Sequence, residues 1–242
     1  MILTIYIFIL SYFLLGAVGF FFINRKKEKA VARKSWTKFI SYFIIIHILF
    51  FSITINPVFF QVLVGIILLA GAFELLLLFK RAGFEHSGFV FVSMLIYTVL
   101  GTGLWLFGAM DNKLVLFAFL ILSIFDAFSQ ISGQLWGKTK IAPEISPNKT
   151  IGGTVGGALF AFASGFFLHG LYDNKWYVVA GLTLGIIVFA FLGDIAASLY
   201  KRKFGVKDYS NLIPGHGGFL DRFDSLISGG AWVTFFFLMI GS

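Results

Sequence analysis

Eight apolar runs alternate with short polar intervals along the chain, at about 2–23, 39–55, 58–79, 88–107, 114–132, 151–171, 176–193 and 225–241. An α-helix needs roughly 20 mostly apolar residues to cross a bilayer. The pattern therefore predicts an all-α, polytopic integral membrane protein with about eight transmembrane helices. Pro57, Pro143, Pro147 and Pro214 all fall between runs, where a missing backbone donor is tolerated. The first run, Met1 to Ile23, has no basic start and no small-residue cleavage site, so it reads as a retained span rather than a signal peptide.

Composition supports the same picture. The chain is 59% apolar and 12% charged, carries 33 Phe, and has a mean hydropathy of +0.94. Soluble domains are about one quarter charged, and lipid is the solvent that accommodates so much aromatic and aliphatic surface. There is no cysteine, which excludes disulfides and thiolate metal sites. The net charge of +8 sorts by topology. Eight spans put 24–38, 80–87, 133–150 and 194–224 on one side, and these hold every basic residue except Lys113 and Lys175, that is 17 of the 19. The positive-inside rule places that side in the cytoplasm and both termini outside. Basic loops beside an anionic leaflet then account for the charge without nucleic acid as a partner.

The outer links are too short to hold a site, so polar chemistry belongs to the inner connections 133–150 and 194–224. The stretch from Gly193 to Ser225 contains Asp194, Asp208, Asp221 and Asp224, four of the 11 acids in the chain. Basic residues Lys201, Arg202, Lys203, Lys207 and Arg222 are interleaved with them, together with His216. If the seventh helix continues through 203, Asp194, Ser198 and Lys201 or Arg202 share one face. A helix starting near Phe219 would aim Asp221 and Asp224 the same way. Between them, Ile213-Pro-Gly-His-Gly-Gly218 is a glycine-rich turn whose backbone N–H groups can approach a ligand. Facing carboxylates with interleaved cations suit a metal–triphosphate complex, because Mg²⁺ takes one or two carboxylates plus phosphate oxygens.

The residues Ser198-Leu-Tyr-Lys201-Arg202, Lys207-Asp208 and Pro214-Gly-His216-Gly-Gly-Phe-Leu-Asp221-Arg222-Phe-Asp224 closely resemble the C-terminal signature of the phosphatidate cytidylyltransferases. Trp136-Gly-Lys138 and Ile141-Ala-Pro-Glu-Ile-Ser146-Pro147-Asn-Lys149-Thr150 resemble a second segment of that family. The resemblance runs from about Gly65 to the end and implies a single transmembrane cytidylyltransferase domain over 1–242, with residues 1–55 less distinctive. It implies transfer of the cytidylyl group of CTP to phosphatidic acid, giving CDP-diacylglycerol and pyrophosphate in a cytoplasmic membrane, or an endomembrane in a eukaryote. Membrane lipids surround the reaction. By the resemblance, Asp194, Asp221 and Asp224 hold Mg²⁺, with a second cation admitted, and join Lys207 and Asp208 as catalytic residues. Ser146, Lys149, Ser198, Lys201, Arg202, His216 and Arg222 contact substrate. Two family acids are absent: Gly152 and Ala197 stand in their places.

Other features carry less. Gly137-Lys138-Thr139 lacks the first glycine of a Walker loop, the position being Ser132. Gly152, Gly153, Gly156 and Gly157 read as helix packing, and as a weak pointer to a homodimer. Among the intramembrane acids, Asp126 is expected near the nucleotide cavity, whereas Glu74 is expected to pair with Lys80 or Arg81. His47 and His169 read as packing residues. The rival functions are a CTP-dependent polyprenol or phytol kinase, an isoprenoid-lipid cytidylyltransferase and, more remotely, an ion or phosphate transporter. The intact block from Lys207 to Asp224 favours phosphatidate.

Overall fold

The structure is a computed structural model that describes residues 2–25 and 28–240; Met1, Lys26, Lys27 and Gly241, named in the span and charge pattern above, lie outside the described residues. Eight α-helices follow one another: α1 (Ile2–Asn24), α2 (Lys29–Ile55), α3 (Pro57–Arg81), α4 (Ser87–Phe107), α5 (Asn112–Trp136), α6 (Ile151–Phe167), α7 (Trp176–Lys203) and α8 (Leu220–Ile240). Of these, α2, α3, α4, α5, α7 and α8 are long and apolar enough to cross a membrane, and α1 and α6 contribute shorter apolar segments. The outward faces are apolar too. Leu69 and Leu159 are 75% and 67% exposed, an arrangement that is stable when lipid covers those faces.

Helix starts follow local chemistry. Asn56 accepts from Val58 N ahead of Pro57, Asp111 accepts from Lys113 N, and Thr150 accepts from Gly153 N. Each side chain satisfies a backbone donor that the helix leaves open. Three helices outrun their apolar pattern on the same side of the bundle. α2 begins at Lys29 rather than 39, α7 runs on to Lys203 rather than 193, and α8 begins at Leu220 rather than 225. Lys, Arg and Ala are good helix formers, so these helices extend beyond the lipid-soluble run and carry polar residues on rigid backbone.

The inner connection after α5 is not a plain loop. It folds into a hairpin of β1 (Lys140–Ala142) and β2 (Ser146–Thr150), antiparallel with Lys140 opposite Thr150 and Ala142 opposite Ser146. α8 is the most enclosed helix, with Gly229, Gly230 and Ala231 buried among α4, α5 and α7. The glycine stripe of α6 packs against α5, as its spacing predicts: a Cβ on Gly157 would stand 2.8 Å from Phe125 O. All four glycines of the stripe lie against α5, its C-terminal end or Thr150. His47 packs on the Phe43 ring, with centroids 3.9 Å apart.

Candidate active site

Six elements converge at the end of the bundle where α7 finishes and α8 begins. Close contact between these two helices sets the site, and Gly193 allows it. A Cβ there would lie 2.9 Å from Asp224 O, so any larger residue would separate Asp194 from Asp224. Asp194 Oδ2 forms an ion pair with Lys149 Nζ at 2.5 Å, and Asp194 Oδ1 accepts from Ser198 Oγ at 3.4 Å. Lys149 is delivered by β2, and its ammonium also lies 4.7 Å from the Phe191 ring centroid. Asp224 accepts from Ser225 N at 2.7 Å and feels the charges of Asp194, Lys201 and Asp126. Asp126, from α5, in turn feels Asp194, Lys149 and Arg222. Its carboxylate makes no hydrogen bond or ion pair among the described residues, yet its side chain remains accessible. Three mutually repelling carboxylates thus share a crevice with one direct cationic partner, Lys149.

Asp221 occupies a different environment. Its Oδ1 accepts from Lys201 Nζ at 2.6 Å, and its Oδ2 accepts from Tyr209 N and Gly218 N, each at 2.8 Å. Both oxygens are engaged, and the Asp221 and Lys201 side chains are 4% and 11% exposed. The carboxylate closes the turn before α8, placing negative charge in the first turn where the helix dipole favours it. Tyr209 is buried beside it and donates to Ala197 O at 2.9 Å. Burial, followed by the neighbouring Asp224 and Asp221 charges, holds its phenol well above the usual range.

Glu74 is a finding that corrects the expectation from sequence. Rather than pairing with Lys80 or Arg81, this fully buried carboxylate reaches across to α8. It accepts from Ser210 Oγ at 2.6 Å, Phe219 N at 3.0 Å and Leu220 N at 2.9 Å. Phe219 precedes α8 and cannot cap it, so the acid of α3 acts as a cap in trans. Gly218 makes room, because a Cβ there would stand 2.7 Å from the Glu74 carboxyl carbon.

The remaining sequence-predicted residues divide. Arg202 donates to Ile145 O and Val206 O, at 3.1 and 2.8 Å, clamping the hairpin to the loop after α7. Lys207 and Asp208 line a cavity of about 430 Å³ with Arg81, Tyr209, Ser210 and Asn211. Neither Asp194 nor Asp224 lines that cavity. Ser146 opens β2, half-buried, directly before Pro147 and on the strand that carries Lys149. His216 lies in a turn fixed by Ile213 N donating to Gly217 O at 2.7 Å, and its Nδ1 is buried without a partner. Burial foremost, then the charge of Arg222 and to a lesser degree of Lys38, pull its pKa below the ordinary value against a Pro214 backbone contact that raises it. Arg222 is exposed and faces this histidine and Asp126.

The donor chemistry suits a hard cation in part. Asp194 and Asp224, with Asp126 beside them, offer carboxylate oxygens in charge excess. Among the described residues no three acid or histidine side chains form a ready metal cage. That combination fits Mg²⁺, which is held by one or two carboxylates and completes its shell with water and phosphate oxygens.

Residues 104–240, more than half of the chain, match the cytidylyltransferase family. Similar curated proteins are phosphatidate cytidylyltransferases. That of Staphylococcus epidermidis is 44% identical over 118 residues, covering 48% of this chain and 45% of the relative. That of Staphylococcus aureus is 43% identical over 116 residues, 47% of this chain and 44% of the relative. The Haemophilus influenzae protein is 37% identical over 135 residues, 52% and 46% respectively. The match therefore spans about half the length of these curated relatives. The family match at 104–240 contains α5 to α8, the hairpin and every residue of the carboxylate crevice, and on that ground the chain belongs to the cytidylyltransferase family.

Proposed function

We propose that the protein transfers the cytidylyl group of CTP to phosphatidic acid, releasing pyrophosphate and forming CDP-diacylglycerol. The observation that carries this reading is the crevice itself. Asp126, Asp194 and Asp224 lie with Lys149 and Lys201 at the ends of apolar helices, where a water-soluble triphosphate and a lipid phosphate can meet. The basic residues concentrated on that side support a cytoplasmic site, where CTP arrives from water and the lipid enters sideways from the inner leaflet.

In the reaction an oxygen of the lipid phosphate monoester attacks the α-phosphorus of CTP in line. The bond from the α-phosphorus to the bridging oxygen breaks, and pyrophosphate leaves with that electron pair. A phosphate monoester is largely dianionic at neutral pH, its second pKa being about 6, so no general base is needed. Catalysis then rests on positioning and charge neutralisation. Asp194 and Asp224 would hold Mg²⁺, which neutralises triphosphate charge when bound. Lys149, paired with Asp194, and Lys201, whose charge Asp224 feels, contribute fixed positive charge. Asp221 holds Lys201 and the turn before α8 in register, and Arg202 keeps the hairpin carrying Lys149 against α7.

The test supplies purified protein with phosphatidic acid, Mg²⁺ and CTP labelled at the α or the γ phosphate. Label entering lipid from α-labelled CTP alone, and lost in Asp224→Asn, is the expected result. Lipid label from γ-labelled CTP with a polyprenol acceptor would instead make the protein a kinase. Absence of transfer from either label to any lipid acceptor would refute the assignment.

A further inference from the structure

The first two helices lie outside the residues matched to the family, and nothing in their sequence marks them as functional. The structure nevertheless seats α2 on the glycine-rich turn of the site. Ser41 Oγ donates to Pro214 O at 2.8 Å. Gly215, at φ +78°, presents so little bulk that a Cβ there would stand 3.0 Å from Lys38 Cγ and 3.4 Å from Lys38 N. The basic residue and the turn are therefore packed backbone to backbone, rather than passing each other as mobile surface groups.

Three positive or ionisable groups meet around that turn from three elements. They are Lys38 from α2, His216 from the turn and Arg222 from the first turn of α8. Lys38 and Arg222 are exposed and have no ion pair among the described residues. His216 is subject to the positive charge of both. One turn further along α2, Tyr42 feels the opposing charges of Asp126 and Arg222, so the same helix face runs from the cations to the carboxylate crevice. A concentration of unpaired cations beside a cluster of carboxylates has one simple use: to hold the anionic part of a ligand whose metal-bound part lies on the acids.

We infer that α2 is a wall of the active site and that Lys38 binds a phosphate group of a substrate together with Arg222 and His216. The phosphate belongs either to the nucleotide or to the lipid. The inference rests on the proposed reaction only for the choice of substrates.

The test uses the full chain in detergent and measures KM for CTP and for phosphatidic acid. The proteins compared are the wild type, Lys38→Ala, Lys38→Arg and Lys113→Ala, the last removing a lysine next to the N-terminus of α5 at the opposite end of the bundle. Loss of one charge-assisted contact raises KM about tenfold, and kcat stays within about twofold because such binding is uniform along the reaction. Lys38→Arg restores most of the loss and Lys113→Ala causes none. A rise confined to CTP assigns the contact to the nucleotide phosphates; a rise confined to phosphatidic acid assigns it to the lipid phosphate. Unchanged KM for both substrates, or an equal rise in Lys113→Ala, overturns the inference.

If the wild type transfers no label, the proposed function has failed, and Lys38 is read by equilibrium binding instead. CTP is titrated alone, and phosphatidic acid is presented in lipid nanodiscs. Equal affinities of wild type and Lys38→Ala for both probes, or no binding of either by the wild type, overturn the inference independently.

Discussion

Two groups of acids lie within the same end of the bundle and have opposite characters. Glu74 and Asp221 form one group: buried, each accepting three hydrogen bonds, with every carboxylate oxygen answered. Asp126, Asp194 and Asp224 form the other: accessible or half-buried, with mutual repulsion and few donors. A carboxylate whose acceptors are all filled holds structure, because removing it strands buried donors. A set of carboxylates short of donors retains electrostatic free energy that a cation can release. Under the proposed function, the difference divides scaffold from chemistry between residues that are three positions apart in sequence, Asp221 and Asp224.

The largest effect should come from neutralising the donor-poor group. Asp224→Asn and Asp194→Asn are expected to lower kcat by at least about 10³-fold, in the range of losing a principal charge-stabilising group. The melting temperature of Asp224→Asn should stay at or above that of the wild type, since repulsion is relieved and no lysine loses a direct partner. Asp221→Asn reverses the pattern: it leaves Lys201 buried without its partner, costing about 3 kcal/mol, and should melt early. Early melting of Asp224→Asn with unaltered Asp221→Asn would erase the distinction between the groups.

Glu74 sharpens the comparison from a distance. Glu74→Ala leaves Ser210 Oγ and the Phe219 and Leu220 N–H groups without an acceptor at a buried helix start. The expected loss is about 3 kcal/mol, read as a lowered melting temperature in detergent. Glu74→Gln keeps an acceptor oxygen and should recover part of it. Equal stability of Glu74→Ala and wild type would remove Glu74 from the scaffold group.

The span pattern was legible because lipid imposes it residue by residue: each apolar run contains a helix, and the longest extensions beyond the runs, in α2 and α7, carry Lys and Arg. The residues of the crevice were legible through a dense local signature. Their roles were less so, because the division between Asp221 and Asp224 depends on partners in the loop and on α7. Glu74 and its acceptor duty were hidden by a sequence separation of 145 residues to Phe219. One signal did exist: α8 starts after Phe219, with no Ser, Thr, Asn or Asp to cap it, so an acceptor had to come from elsewhere. The hairpin at 140–150 was obscured by Pro143 and Pro147 and by a first strand of 3 residues. Nothing local in α2 distinguishes Lys38 from its basic neighbours. Its place beside Gly215 is a matter of tertiary packing.

The smallest effect concerns His216, which belongs to neither group of acids and sits in the turn with Arg222 and Lys38 as its charged neighbours. Burial, Arg222 and Lys38 lower its pKa below the ordinary value of about 6.5, so the folded protein binds this proton less readily than the unfolded chain. Its contribution to stability is therefore complete above about pH 6.5 and is lost as pH falls through the lower folded-state value. Melting temperature should decline on the acid side of about pH 6.5, and His216→Asn, which cannot take up the proton, should flatten that decline. The same proton reports on α2. Lys38→Ala and Arg222→Ala each remove a positive neighbour, so the imidazole should titrate at higher pH in both, as followed by NMR of the labelled ring. Arg222→Ala should move it more, because Arg222 exerts the stronger of the two effects. An imidazole that titrates at the same pH in all three proteins would mean that the cations of α2 and α8 do not converge on the turn.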